Sequence, residues 1–138
     1  MHQNYDISNL GDLSSVALEL LSLSDNRIFV IEGDLGAGKT TLVKYMCSHL
    51  KIIDSVSSTT FSIINEYVNV NGSKCFHFDF YRLKNIKEAI MLGLDAYFAS
   101  DCYCFIEWPD LITSLLPLDY HHIKIKENNN TRQLLLLK

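Results

Sequence analysis

The chain has 138 residues, 48% hydrophobic and 20% charged, which suits one globular domain with a core of its own. Its net charge of −4 argues against a protein that grips nucleic acid unaided through a basic surface. No run approaches the roughly 18 apolar residues of a membrane span. The opening MHQNYDISNL has neither the basic nor the apolar region of a secretion signal, so a cytoplasmic location is expected.

Leu10, Leu13, Val16, Ala17, Leu20 and Leu21 recur with helical period, which predicts an amphipathic helix over residues 9–23 capped by Ser8 or Asn9. Residues 25–27 turn the chain into a short buried strand, Ile28 to Ile31. A helix from Thr40 to Leu50 follows, with Leu42, Val43, Met46 and Leu50 on one face. Asp54 to Ser62 is rich in Ser and Thr and reads as a loop. Ile63 to Val70 and Lys74 to Phe80 are strand-like runs joined by Asn71-Gly72, a strong hairpin signal. Asn85 to Phe98 reads as helical, with Ile86, Ala89, Ile90 and Leu94 on one face and a break near Gly93. Tyr103 to Glu107 is a second buried strand, and Pro109 starts a short helix reaching Leu116. Ile123 and Ile125 alternate before a turn at Asn128–Asn130, and Leu134 to Leu137 completes a terminal hairpin. Four cysteines without a C-x-x-C pair are expected as free thiols, with Cys102 and Cys104 on opposite sides of a strand. Strands alternating with helices predict a single α/β domain whose sheet is partly parallel and, because of the two hairpins, mixed.

Between the first strand and the second helix lies GDLGAGKT, residues 33–40. It fits G-x-x-x-x-G-K-[ST], with Gly33, Gly38, Lys39 and Thr40 in the defining places, and its setting is the strand–loop–helix the motif requires. Backbone N–H groups at such a loop surround a β-phosphate, and the positive end of the helix dipole adds to their field. Lys39 would supply charge to the β- and γ-phosphates, and the Thr40 hydroxyl would ligate Mg²⁺. These residues predict binding of a nucleoside triphosphate.

Phosphoryl transfer needs an acidic partner for the metal at the end of a neighbouring strand. Glu107, after Cys104-Phe105-Ile106, and Asp79, after Phe76-His77-Phe78, are the candidates. Each is either a group facing the phosphate loop or a solvent-facing carboxylate at a strand end. Thr59 and Thr60 either sense the γ-phosphate or belong to a plain polar loop. His77 alone reads as a packed or exposed histidine rather than a catalyst, and Trp108 either fills the core or caps the nucleotide site.

GDLGAGKTTLVK (33–44), STTFSIINEY (58–67), HFDFYRL (77–83), LGLDAYF (92–98) and IEWPD (106–110), then LLP at 115–117, resemble in order and spacing the TsaE (YjeE) family. That family comprises the small P-loop ATPases of bacterial tRNA threonylcarbamoyladenosine (t6A) synthesis. The resemblance implies a mixed α/β P-loop fold and a Mg-dependent ATPase, weak alone. It would act with TsaB and TsaD in placing threonylcarbamoyl on adenosine 37, touching tRNA through that complex. It further implies that ATP is held by Gly33, Asp34, Leu35, Gly36, Ala37, Gly38, Lys39, Thr40 and Thr41, with Arg132 from the C-terminal part. Lys39, Thr60 and Asp79 would serve catalysis, and Thr40 and Glu107 would hold Mg²⁺. Thr60 and Phe61 fall on a switch-like S-P-T-F motif, and Tyr81 and Arg82 on a YR pair that would anchor an interface or loop. Here Thr59 replaces the proline of that motif, so the loop is expected to be more mobile, by ~0.4–1 kcal/mol of ordering.

Two other functions share the motif. A small-molecule P-loop kinase would need an arginine-rich closing lid, yet only Arg27, Arg82 and Arg132 occur, widely spaced. A nucleotide-gated, non-catalytic binding module would use ATP only to order the loop near Thr60. Nothing in the residues demands an oligomer.

Overall fold

The computed structural model describes residues 3–54, 56 and 63–138. Seven strands form one sheet: β1 (Gln3–Asp6), β2 (Ile28–Gly33), β3 (Ile64–Val68), β4 (Lys74–Asp79), β5 (Tyr103–Glu107), β6 (His121–Asn128) and β7 (Thr131–Leu136). Their order across the sheet is β1-β7-β6-β2-β5-β4-β3. The four central strands β6, β2, β5 and β4 run parallel, and β7, β1 and β3 join antiparallel at the two sides. The expected mixed α/β architecture is therefore present.

Alternation along β2 explains how the sheet is covered. Phe29 and Ile31 point to one face, where Leu13, Leu20, Leu42 and Met46 of α1 (Leu10–Leu21) and α2 (Lys39–His49) pack. Ile28 and Val30 point to the other face, toward Ala89, Leu94 and Ile112. Covered on both sides, Ile28 through Ile31 are all buried, which is why the strand reads as a continuous apolar run. The first helix is capped by Asn9, whose side chain accepts from the Asp12 N–H at 2.9 Å.

Several details differ from the sequence reading. β1 was not foreseen: QNYD carries no apolar alternation, and it becomes a strand only because β7 offers an unpaired edge. The β3–β4 connection is longer than a two-residue turn. Asn69 and Ser73 close it, the Asn69 side chain accepts the N–H groups of Asn71 and Ser73 at 2.9 Å, and Gly72 takes the left-handed position. Residues 85–98 divide at Gly93 (φ 68) into α3 (Ile86–Met91) and α4 (Leu94–Phe98). Ala89 and Leu94 are buried as expected, but Ile86 and Ile90 are exposed, because a helix this short turns only one narrow side to the core. The short helix expected after Pro109 is present and is of the tighter 3₁₀ kind, Asp110–Leu115. Cys102 lies outside β5 and packs against the same cluster as Cys104, since two residues' separation returns a chain to the same face. All four cysteines are free thiols, and burial pushes the Cys104 thiol up to about 12. No helix among the described residues is long and apolar enough to cross a membrane.

The contrast between α2 and α3 is measurable. Leu42→Ala, at a fully buried position, is expected to cost about 2–5 kcal/mol in urea unfolding. Ile90→Ala, on the exposed side of α3, should change stability by about 0.5 kcal/mol or less. Equal losses would contradict this assignment of faces.

Candidate functional site

The site grows from the C-terminal end of β2. A Cβ on Gly33 would stand 2.9 Å from the Ile125 carbonyl oxygen, so only glycine lets β2 close against β6 here. The loop then bends back, with the Ala37 N–H donating to the Asp34 carbonyl at 3.0 Å and the Ala37 side chain buried. Gly38 enters α2 with φ 108, a conformation that side-chain-bearing residues rarely adopt. Among the described residues no side chain caps the start of α2, and its first turn has no acidic residue. The helix start is thus left to a ligand, in the way that suits an anion.

Beside this loop lies a cleft of about 330 Å³. The loop residues Leu35, Gly36 and Gly38 line it, together with Lys39, Thr40 and Thr41 of α2. Asp79 and Glu107 reach it from β4 and β5, Trp108 closes one wall, and Arg132 comes from β7. A second cleft of about 500 Å³ shares Trp108 and includes Gly33, Asp34 and Asn128.

Lys39 is buried, an expensive place for an ammonium group unless its charge is met. It donates to the carbonyl of Gly33 and, at 3.2 Å, to that of Asp34. Its Nζ also sits 3.8 Å from the centre of the Trp108 ring, a cation–π contact. Burial draws the ammonium below the ordinary lysine range, and the carboxylates of Glu107, Asp79, Asp34 and Asp110 act in the opposite sense. Trp108 reaches this position because the chain leaves β5 in a left-handed conformation (φ 55), and Tyr81 packs beside it at 4.8 Å between ring centres.

The Thr40 hydroxyl donates to both carboxylate oxygens of Glu107, at 3.0 and 3.2 Å. Glu107 is itself buried, and His77 Nε2 stands 2.5 Å from Oε2. Asp79 is the register neighbour of Glu107, so two acidic strand ends face the loop together. The Asp79 side chain accepts the Tyr81 N–H at 3.0 Å. Arg132 lies with Nη1 3.3 Å from where a Cβ on Gly38 would be, and its Nε pairs with Glu127 at 3.3 Å.

The structure therefore gathers Lys39, Thr40, Asp79, Glu107 and Arg132 at one loop, although they are scattered over 94 positions of chain. Neither carboxylate candidate is the solvent-facing alternative in full: Glu107 is buried, and Asp79 lines the cleft. Thr60, with Thr59 and Phe61, lies outside the described residues, so the switch-like loop is not placed. His77 is the packed one of the two alternatives, wholly buried, and it also meets Glu107. It shares the face of Asp79 by simple alternation along β4, a signal that its two phenylalanine neighbours obscured. Chemically, the donors at the start of α2 and the Lys39 ammonium suit a polyphosphate. A hydroxyl against a carboxylate, both oxygen donors, suits Mg²⁺.

A family model described as threonylcarbamoyl adenosine biosynthesis protein TsaE matches residues 7–134. Among curated proteins, tRNA threonylcarbamoyladenosine biosynthesis protein TsaE of Bacillus subtilis is 43% identical over 99 residues, 72% of this chain and 61% of that protein. The Haemophilus influenzae protein of the same name is 38% identical over 100 residues, covering 71% and 63%. The chain thus matches somewhat under two thirds of the length of these two relatives. The Rickettsia bellii TsaE protein is 32% identical over 117 residues, covering 82% and 78%. The crystal structure of Bacillus subtilis YdiB superimposes with a TM-score of 0.76 at 29% identity, over 99% of this chain and 84% of that one. Because the family match runs from before α1 to Leu134 within β7 and takes in every side chain just placed around the cleft, this chain belongs to the TsaE family.

Proposed function

We propose that this chain binds Mg-ATP at the start of α2 and hydrolyses it as the ATPase component of the machinery that makes N6-threonylcarbamoyladenosine at position 37 of tRNA. It would do so in the cytoplasm with TsaD and TsaB homologues, meeting tRNA through that complex. The observation that carries the reading is the Thr40–Glu107 contact at the mouth of the phosphate loop, beside a buried lysine. The relatives' names supply the tRNA modification.

In this reading the Gly33–Thr41 loop receives the triphosphate. Lys39 exchanges the carbonyls of Gly33 and Asp34 and the face of Trp108 for phosphate oxygens. Its charge is already desolvated, so little hydration has to be stripped from it on binding. Thr40 and Glu107 would hold Mg²⁺, which when bound neutralises phosphate charge. Asp79, beside Glu107 at the cleft, would orient a water for attack on the terminal phosphate. Arg132, held by Glu127 next to Gly38, would add a second cation at the phosphates.

The test is reconstitution with TsaD, TsaB and tRNA, measuring modified adenosine with and without ATP. No dependence on ATP would overturn the role. Lys39→Ala should weaken Mg-ATP binding by about 10- to 100-fold in calorimetry, because a charged donor is lost from a desolvated site. Asp79→Ala should keep most nucleotide affinity while turnover in the complex falls by about 10²- to 10⁴-fold, as expected for a group used chiefly in the transition state. Normal turnover in that variant would remove Asp79 from the mechanism.

A further inference from the structure

Beneath α2, the hairpin β3–β4 carries a line of polar side chains into an otherwise apolar layer. Asn65 and His77 are register partners across the hairpin, and Tyr67 follows on the same face. Asn65 Nδ2 donates to the Tyr67 hydroxyl at 3.4 Å, and that hydroxyl lies 3.4 Å from His77 Nδ1. The other ring nitrogen of His77 donates to Glu107 Oε2 at 2.5 Å, the same oxygen that accepts from Thr40 at 3.0 Å. His77 is wholly buried. The fold has thus placed a two-sided hydrogen-bonding ring where an aliphatic side chain would pack as well.

We propose that His77 is the positioning residue for the Glu107 carboxylate, anchored from behind by Tyr67, and that it thereby sets the Mg²⁺ affinity of the nucleotide site. This rests on the Mg-ATP reading above. A glutamate side chain has three rotatable torsions, and its end must meet the cation beside the Thr40 hydroxyl. Thr40 alone cannot fix that end, since its hydroxyl reaches both oxygens almost equally, at 3.0 and 3.2 Å. His77 breaks the symmetry by holding one oxygen from the opposite side. Groups behind a metal ligand characteristically set its orientation, and their loss lowers metal affinity about 10- to 100-fold. The same bonds tie the β3–β4 hairpin to the phosphate loop.

A merely structural histidine would affect stability without affecting the metal, and the experiment separates the two. Affinity for ADP is measured by calorimetry on the full chain, first in EDTA and then across a MgCl₂ titration. His77→Leu is expected to bind ADP in EDTA as the unaltered chain does, but to need about 10- to 100-fold more Mg²⁺ for the metal-dependent gain in affinity. His77→Gln, whose amide can still donate to Glu107, should recover most of that loss. Tyr67→Phe should shift the Mg²⁺ requirement in the same direction by a smaller factor, and it decides the matter if His77→Leu does not fold. An unchanged Mg²⁺ requirement in His77→Leu, or in Tyr67→Phe where that variant decides, overturns the proposal. If the unaltered chain binds ADP equally with and without Mg²⁺, the metal part of the reading above fails and takes this proposal with it, and if it binds no ADP at all the nucleotide reading fails as well.

Discussion

Parallel pairing of three strands is the constraint on which the site depends. β2, β5 and β4 run side by side in one direction, with Ile31 opposite Glu107 and Glu107 opposite Asp79. Their C-terminal ends therefore lie together at one edge of the sheet, and the loop leaving β2 rises at that edge. A one-residue slip of β5 would turn Glu107 to the opposite face and bring Ile106 under Thr40. Both faces of these strands are apolar, so it is the close packing of particular side chains in the two clusters that holds the register against such a slip. Packing in the middle of the sheet thus determines chemistry at its end.

The distribution of buried polarity points the same way. Among the described residues, the buried polar or charged side chains are Lys39, His77 and Glu107. All three belong to one cluster, and each has hydrogen-bonding partners there. Burying such groups costs free energy unless they are paired, and apolar replacements of similar volume often stabilise a core. A protein built for stability alone would have no use for these three at one place. Their concentration beside a helix start that lacks a side-chain cap is what marks the site, independently of any motif.

What could be read from the residues divides along a physical line. Local patterns were legible: the run Ile28 to Ile31, the period of α1, the phosphate loop, and the alternation of β6 all carry their signal in neighbouring positions. Glu107 and Asp79 were legible as candidates because a carboxylate ending an apolar run is informative in an α/β sheet. Features created by distant partners were not. β1 needs β7 to exist, Ile90 needs the actual placement of α3 to be known as exposed, and Trp108 reaches Lys39 only through a left-handed backbone at the end of β5. His77 lies between these cases, because alternation gives its face but only the three-dimensional packing supplies Tyr67 and Glu107.

Arg132 shows how far the fold reaches to complete the cleft. The β6–β7 hairpin turns at Asn129 (φ 56) and sends β7 back along β6, with Glu127 opposite Arg132. That pairing points Nε at Glu127 and leaves the guanidinium beside Gly38, where a side chain on the loop would crowd it. The Arg132 backbone is tied to the N-terminal segment as well, through the Ser8 hydroxyl and the Ile7 N–H. So the small strand β1, polar and easily overlooked, helps to fix the strand that carries a cation to the phosphate loop. The two sides of the sheet then act symmetrically. β4 and β5 bring negative charge to one flank of the loop, and β7 brings positive charge to the other, with the cleft between them where the proposed metal-bound polyphosphate would sit.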